Sequence, residues 1–190
     1  MNCIPEGFKA MVPAIMILTF AWTLKAMTDS LGAAPYVAGM MQTSAAGLMN
    51  MLPAIIFLVG CGLAFATGTS WGTFGILIPI VVAVFESDPQ MMIIAISACM
   101  AGAVCGDHCS PISDTTIMSS AGAQSNHLNH VYTQLPYALT VAAISFISYV
   151  VVGYTRSLAV AFPLGVAALF GLLFFIKMRN KQKAAAAPAN

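Results

Sequence analysis

Long apolar runs separated by short polar segments make up most of this sequence. The runs cover residues 11–27, 48–66, 91–104, 135–153 and 158–176, with a shorter run over 76–85. A membrane-spanning helix needs about 20 mostly apolar residues, a length that several of these runs approach or reach. The pattern therefore predicts an all-α integral membrane protein of about five to six transmembrane helices, with two interrupted or re-entrant segments.

Two polar segments interrupt the apolar pattern. We call residues 67–73 (TGTSWGT) the first break and residues 105–116 (CGDHCSPISDTT) the second break. Glycine gives the backbone of the first break conformational freedom. In the second break, Pro111 lacks an N–H donor and disfavours helical geometry at Ser110. Paired interrupted helices are typical of the binding site of a transporter.

The second break carries two acids, Asp107 and Asp114. Charged side chains at membrane depth are costly and usually mark a transport pathway. Asp114 precedes Thr115 and Thr116, and this pattern resembles the N-cap of a short helix reaching about residue 121. Capping and ion binding are compatible for Asp114. The sequence pattern gives Asp107 no such capping role. Asp107 is therefore the stronger candidate ion ligand.

Hydroxyl side chains in both breaks could complete an oxygen shell around a hard cation bound at Asp107 and Asp114. Carboxylate, hydroxyl and carbonyl oxygens suit hard cations. A simpler interpretation is that Thr69 or Ser70 only caps the helix that follows the first break. The candidate hydroxyl ligands are Thr67, Thr69, Ser70, Ser110, Ser113 and Thr116.

The three histidines all lie in or after the second break. His127 and His130 are three residues apart and would share one face of a helix. They fit an interfacial loop, packing beneath a transport core, or a pH sensor or proton relay. His108 and His130 are the candidate proton-relay residues.

Composition supports the membrane assignment and excludes several functions. The chain has 190 residues, of which 59% are hydrophobic and 7% charged, against about 25% charged in soluble domains. A net charge of +1 indicates no nucleic-acid partner. The sequence contains no P-loop, hydrolase triad or dinucleotide fingerprint, so we expect neither an enzyme, nor a cofactor, nor an ATP-driven pump.

The five cysteines are best explained as reduced packing residues, with Cys61, Cys99 and Cys105 inside apolar runs. Cys105 and Cys109 flank Asp107 and His108, a spacing that superficially suggests a metal site. No second Cys/His pair exists to complete four ligands, so packing is favoured.

The distribution of charge predicts the topology. Four of the seven basic residues lie between Lys177 and Lys183, which places the C-terminus in the cytoplasm. Arg156, in the turn between the last two spans, would then lie outside. We expect residues 1–190 to form a single transmembrane domain, with 177–190 as a basic and alanine-rich tail that is disordered from 184. Near the N-terminus, Lys25 and Asp29 form a possible ion pair, and 29–47 could be a surface helix or a re-entrant piece.

Both breaks, together with the segment from His130 to Ala138 (HVYTQLPYA), resemble the NhaC-type sodium/proton antiporters of the ion-transporter superfamily. The similarity extends from the first span to the last. It implies a bacterial or archaeal inner-membrane carrier with inverted repeats, of which this chain resembles only the C-terminal half. The chain departs from the family pattern at Asn129 and Tyr132, where relatives carry an acid and a basic residue. This departure weakens a proton-relay role for the histidine segment.

The resemblance leaves three functional hypotheses. The first is exchange of Na⁺ for H⁺ by competition at Asp107 and Asp114. The second is a sodium-coupled organic-acid exchanger of the malate/lactate type, although neither break holds a basic residue to bind a carboxylate. The third is an inactive half that requires its missing N-terminal partner. The expected partners are membrane lipid, small inorganic ions and that missing half, while homo-oligomerisation stays open.

Overall fold

A computed structural model describes residues 48–186, with side chains to Arg179, and scattered residues between Ile4 and Leu31. Those scattered positions are 4–6, 8–9, 12, 16, 19–20, 23, 26–27 and 30–31. Lys25 and Asp29 lie outside the described residues, as do most positions of the predicted span 11–27 and of the segment 29–47, so these predictions stay untested.

Every regular element in the described part of the chain is helical. A short 3₁₀ turn is followed by six α-helices. The elements are the turn Met49–Met51, α1 (Leu52–Thr67), α2 (Ser70–Val84), α3 (Pro89–Cys109), α4 (Asp114–Gly122), α5 (His127–Thr155) and α6 (Leu158–Ala186).

The prediction of an all-α membrane protein is confirmed. Four described helices have the length and apolar composition needed to cross a bilayer, and α2 is a shorter apolar helix. The crossing segments are Met49–Thr67, Pro89–Cys109, His127–Thr155 and Leu158–Arg179. In α5 and α6 only 6% of the most apolar window is buried within the chain. Lipid or additional protein must cover those apolar faces.

Three boundaries differ from the sequence predictions. Helix α3 continues past residue 104 to Cys109, so the second break is helical over its first five residues. Helix α5 already begins at His127 because Asn126 caps it by accepting a hydrogen bond from the Asn129 amide. The expectation of disorder from residue 184 is wrong up to Ala186, because alanine favours continuation of α6. Residues 187–190 lie outside the described part.

Helices α1 and α3 form the central pair. A Cβ atom on Gly102 would collide with the Phe57 carbonyl, and one on Gly106 with the Cys61 carbonyl. Small residues permit such backbone contact between membrane helices. Gly60 also faces α3, with its Cβ position 3.2 Å from the Ala103 nitrogen. Gly62, by contrast, has nothing within 4 Å of its Cβ position.

Polar contacts connect the turn between α2 and α3 with the turn between α5 and α6. Asp88 caps α3 by accepting a hydrogen bond from the Met91 amide. Its other carboxylate oxygen pairs with Arg156 at 2.9 Å, and Gln90 donates to the Arg156 carbonyl at 2.7 Å. These contacts join the turn between α2 and α3 to the turn between α5 and α6.

Candidate ion-binding site

The first break is narrower than predicted, because only Gly68 and Thr69 lie between α1 and α2. Gly68 ends α1 with a left-handed φ of 67°, a conformation that glycine adopts without steric cost. Thr69 is extended and caps α2, its hydroxyl accepting a hydrogen bond from the Gly72 amide at 3.4 Å. The capping interpretation of Thr69 is therefore confirmed. Capping does not exclude an additional role in ion binding.

The second break is also narrower, with only residues 110–113 outside a helix. The N-cap of α4 is Ser113, whose hydroxyl accepts a hydrogen bond from the Thr115 amide at 3.1 Å. The prediction that Asp114 is the cap was therefore wrong by one residue. Asp114 is instead the first residue of α4 and its side chain is exposed. A carboxylate there is favoured by the positive end of the helix dipole.

The two breaks are in direct contact. Ser110 donates a hydrogen bond from its hydroxyl to the Phe65 carbonyl at 2.8 Å. That carbonyl belongs to the last turn of α1, where no intrahelical partner is available. Gly68 lies against Ile112, whose carbonyl oxygen would be 2.8 Å from a Cβ at position 68. The end of α1 therefore packs against the connection between α3 and α4.

Asp107 is the buried acid of this region, with 2% of its surface exposed. One carboxylate oxygen accepts a hydrogen bond from the Ser113 hydroxyl at 2.7 Å. The other lies 3.4 Å from the donating Thr115 hydroxyl. The Ser113 and Thr115 hydroxyls are themselves 2.7 Å apart. Asp107 thus links the last turn of α3 to the first turn of α4.

Among the described residues, oxygen atoms surround the Asp107 carboxylate, and no lysine or arginine pairs with it. The sequence has no lysine or arginine between residues 48 and 155, a stretch that includes both breaks and all of α1 to α4. Among the described residues, no carboxylate–base contact involves Asp107. Within the described part of the chain, the Asp107 carboxylate therefore accepts hydrogen bonds from the hydroxyls of Ser113 and Thr115.

Other candidate ligands have structural roles near Asp107. The Thr116 hydroxyl is buried and donates to the carbonyls of Ser110 and Ser113, at 2.8 and 3.0 Å. Ser110 is fully buried. Four predicted ligands therefore gather around the second break: Asp107, Ser110, Ser113 and Thr116. Sequence reasoning missed Thr115, although a hydroxyl two residues after a serine cap was a usable signal.

The remaining candidates are not joined to Asp107 by any hydrogen bond in the described part. The Thr67 hydroxyl donates to the Leu63 carbonyl at 2.8 Å, and Thr67 is exposed. Ser70 is half-buried at the start of α2. Asp114 is exposed at the start of α4. These residues stay predictions as ion ligands.

The histidines occupy different positions. His108 is exposed, with Nδ1 2.9 Å from the Val104 carbonyl, and its own carbonyl accepts a hydrogen bond from Gln134. His130 is half-buried on α5. His127, which was not among the predicted site residues, contacts both Ser120 and the Pro111 carbonyl.

The donor set fits an alkali cation better than a soft metal. Within residues 48–186 and the scattered N-terminal positions, no three Cys, His, Asp or Glu side chains converge to hold a metal ion. The described cysteines Cys61, Cys99, Cys105 and Cys109 are free thiols. Hydroxyl, carboxylate and carbonyl oxygens are the ligands that hard cations prefer.

We expect Gly68→Ala to destabilise the junction of the breaks. Alanine in the left-handed region costs about 1 kcal/mol or more, and its Cβ would also press on the Ile112 backbone. The thermal unfolding temperature of the full-length protein in detergent should fall. Gly122→Ala is the control, because nothing lies within 4 Å of its Cβ position. Equal stability of the two variants would contradict the contact described here.

Comparison with known proteins identifies the family of this chain. The model of the Na⁺/H⁺ antiporter family matches residues 1–154. An uncharacterised protein of Haemophilus influenzae is 47% identical over 174 residues, covering 91% of this chain and 33% of that protein. The malate-2H⁺/Na⁺-lactate antiporter of Bacillus subtilis is 29% identical over 157 residues, covering 80% of this chain and 32% of that protein. The arginine/ornithine antiporter ArcD of Halobacterium salinarum is 29% identical over 144 residues, covering 74% of this chain and 28% of that protein.

The chain spans about a third of the length of these curated relatives. No solved structure shows significant similarity to it. The family match covers both breaks and most of the described helices, and it identifies a multi-pass membrane protein. The chain belongs to the Na⁺/H⁺ antiporter family.

Proposed function

We propose that this chain is part of a secondary transporter that exchanges Na⁺ for H⁺, with Asp107 as the group for which the two ions compete. One observation carries the proposal. Asp107 is a nearly fully buried carboxylate at the contact between the two breaks, and the sequence from residue 48 to residue 155 contains no lysine or arginine.

The physical basis is the cost of burying a charge. An ionised carboxylate removed from water is strongly disfavoured unless it is neutralised or paired. Since no lysine or arginine among the described residues pairs with Asp107, the neutralising partners in this proposal are a proton and a bound cation. A site that accepts either but not both makes the exit of one depend on the entry of the other. That dependence is the essential property of an antiporter.

The hydroxyls beside Asp107 suit both states. When the carboxylate is ionised, the Ser113 hydroxyl donates to it, as in the described geometry. When the carboxyl is protonated, its O–H can donate to Ser113, which can in turn donate to Thr115 at 2.7 Å. A bound Na⁺ would use the oxygen lone pairs of the same groups. Small rotations of hydroxyl hydrogens therefore serve all three states.

The other candidate residues have supporting roles in this proposal. Ser110 and Thr116 hold the connection between α3 and α4 in shape. Asp114, exposed at the start of α4, is a candidate second ligand. Thr67, Thr69 and Ser70 would add oxygens in another conformation of the first break. His108 and His130 are candidates for moving protons between Asp107 and water.

The proposal extends to location and assembly. The excess of basic residues after residue 176 supports a cytoplasmic C-terminus, and the similarity to bacterial antiporters supports a place in the inner membrane. Residues 1–190 would form one transmembrane unit that works with the remaining two thirds of an antiporter. Buried polar backbone in a bilayer needs such cover, since each unsatisfied group costs several kcal/mol. Without its partner, the isolated chain would be inactive.

A sodium-coupled organic-acid exchanger is the second candidate. It is favoured by the 29% identity to the malate-2H⁺/Na⁺-lactate antiporter. A groove of about 610 Å³ between α3 and α5, lined in part by His108, Gln134 and Tyr137, offers space for a small acid. The absence of lysine and arginine from the described breaks argues for the inorganic-ion assignment.

The test is a transport assay with the full-length protein reconstituted in proteoliposomes that contain a pH-sensitive dye. An outward Na⁺ gradient alone should drive proton uptake, with no further effect of malate or lactate. Proton movement that requires malate or lactate would instead favour the organic-acid exchanger. Absence of proton movement under both conditions would contradict both candidates.

A further inference from the structure

His127 connects three elements near the second break. It is the first residue of α5. Its Nε2 lies 2.6 Å from the Pro111 carbonyl, in the connection between α3 and α4. Its Nδ1 lies 3.1 Å from the Ser120 hydroxyl, near the end of α4. The ring thus connects the start of α5 with the loop that precedes α4 and with the last turn of α4.

The hydrogen-bond roles follow from the acceptors. A carbonyl can only accept, so Nε2 carries a hydrogen and donates to Pro111. The Ser120 hydroxyl also lies 2.9 Å from the Ile117 carbonyl, to which it donates. A neutral ring would have to share that single hydroxyl hydrogen between Ile117 and Nδ1. In either protonation state Nε2 can donate to the Pro111 carbonyl. This contact, at 2.6 Å, is also shorter than the 3.1 Å contact between Nδ1 and Ser120.

The contact matters because of where Pro111 lies. Residues 110–113 are the only part of the second break outside a helix. They begin with Ser110, which donates to the Phe65 carbonyl, and end with Ser113, which donates to Asp107. The Ser110 and Ser113 carbonyls are held by Thr116. The Pro111 carbonyl receives its hydrogen bond from His127. Pro111 is exposed. Without the hydrogen bond from His127, the backbone of residues 110–113 would therefore be less restrained on its exposed side.

We propose that His127 is a positioning residue for the ion site: by holding the Pro111 carbonyl, it sets the loop that places the Ser110 and Ser113 hydroxyls. This inference rests on the proposed function for its transport consequences. The hydrogen bond itself is independent of which ion is carried.

A pair of substitutions separates the two contacts of the ring. Glutamine carries an amide nitrogen near the position of Nε2, so His127→Gln can still donate to Pro111. Asparagine is shorter and reaches only the position of Nδ1, so His127→Asn keeps the contact with Ser120 and loses Pro111. His127→Ala loses both. Asn129→Ala is the control, because its exposed side chain makes no hydrogen bond among the described residues.

The experiment uses the full-length protein and two readouts. In proteoliposomes, the Na⁺ concentration for half-maximal exchange should rise about three- to tenfold in His127→Asn and His127→Ala, the factor expected for one hydrogen bond. His127→Gln and Asn129→Ala should stay within about twofold of wild type, a difference too small to represent a lost hydrogen bond. In hydrogen–deuterium exchange, a peptide spanning residues 108–118 should exchange faster in the asparagine and alanine variants only.

The two readouts distinguish the possible failures. If the wild-type protein does not exchange Na⁺ but the deuterium pattern holds, the proposed function fails and the positioning role stands. If the asparagine variant matches wild type in deuterium exchange, or the glutamine variant is as impaired as alanine, the positioning role is wrong. A fall in maximal rate with unchanged Na⁺ dependence in all three variants would also overturn it.

Discussion

Replacing Asp107 with asparagine is expected to abolish sodium-dependent proton movement while leaving the protein folded. Asparagine has nearly the same shape, and its carbonyl oxygen can still accept the hydrogen bond that Ser113 donates at 2.7 Å. It carries no charge and does not bind a proton in the physiological range. The loss would therefore report on the charge of residue 107. Exchange should fall to the background rate of protein-free liposomes, measured by dye fluorescence after a Na⁺ jump.

The matched control for this prediction is Glu86→Gln. Glu86 is an exposed acid in the turn between α2 and α3, and the same removal of charge there should leave exchange unchanged. Equal elution profiles of both variants in detergent would establish that neither is misfolded. Exchange at a normal rate in Asp107→Asn would show that Asp107 is not the shared ion site.

Gly106→Ala is expected to have the largest effect on stability. Gly106 lies in α3 directly before Asp107, and a Cβ there would collide with the backbone carbonyl of Cys61 in α1. Backbone atoms cannot move aside by changing a rotamer, so the helices must separate. Overpacking of this kind costs about 1–3 kcal/mol or more. We expect a lower unfolding temperature, reduced abundance in membranes and weakened exchange, measured on the full-length protein.

Gly62→Ala provides the comparison on the partner helix. Nothing lies within 4 Å of its Cβ position, and alanine is about 1 kcal/mol better than glycine in a helix interior. This variant should be as stable as wild type or slightly more so. If Gly106→Ala unfolded at the same temperature as Gly62→Ala, the close crossing of α1 and α3 would be contradicted.

The assignment of roles to the two acids shows the limit of local reasoning. Sequence patterns correctly predicted a short helix after the second break, but placed its cap at Asp114. The cap is Ser113, and the same serine donates to Asp107. Asp107 therefore does have a structural partner, which the sequence did not reveal. Ion binding at either acid stays a prediction, because a hydrogen-bonded carboxylate and an ion-binding carboxylate can be the same group.

The lengths of the apolar runs, the rarity of charge and the positions of the breaks were readable from the sequence. These features depend on local chemistry, since helix formation in lipid needs continuous apolar residues and proline or glycine interrupts it nearby. Gly68 and Pro111 both lie where the helices stop. The breaks proved shorter than predicted because α3 keeps its hydrogen bonds up to the residue before Ser110.

Only the tertiary structure decided which oxygens meet. The Phe65 carbonyl accepts a hydrogen bond from the Ser110 hydroxyl, although no pattern in the sequence links these two positions. This contact exists because Gly102 and Gly106 let α3 lie against the backbone of α1. How closely two helices approach depends on packing between residues far apart in the chain. The sequence alone therefore determined that this membrane protein has two polar breaks, and the packing of α1 on α3 brought them together.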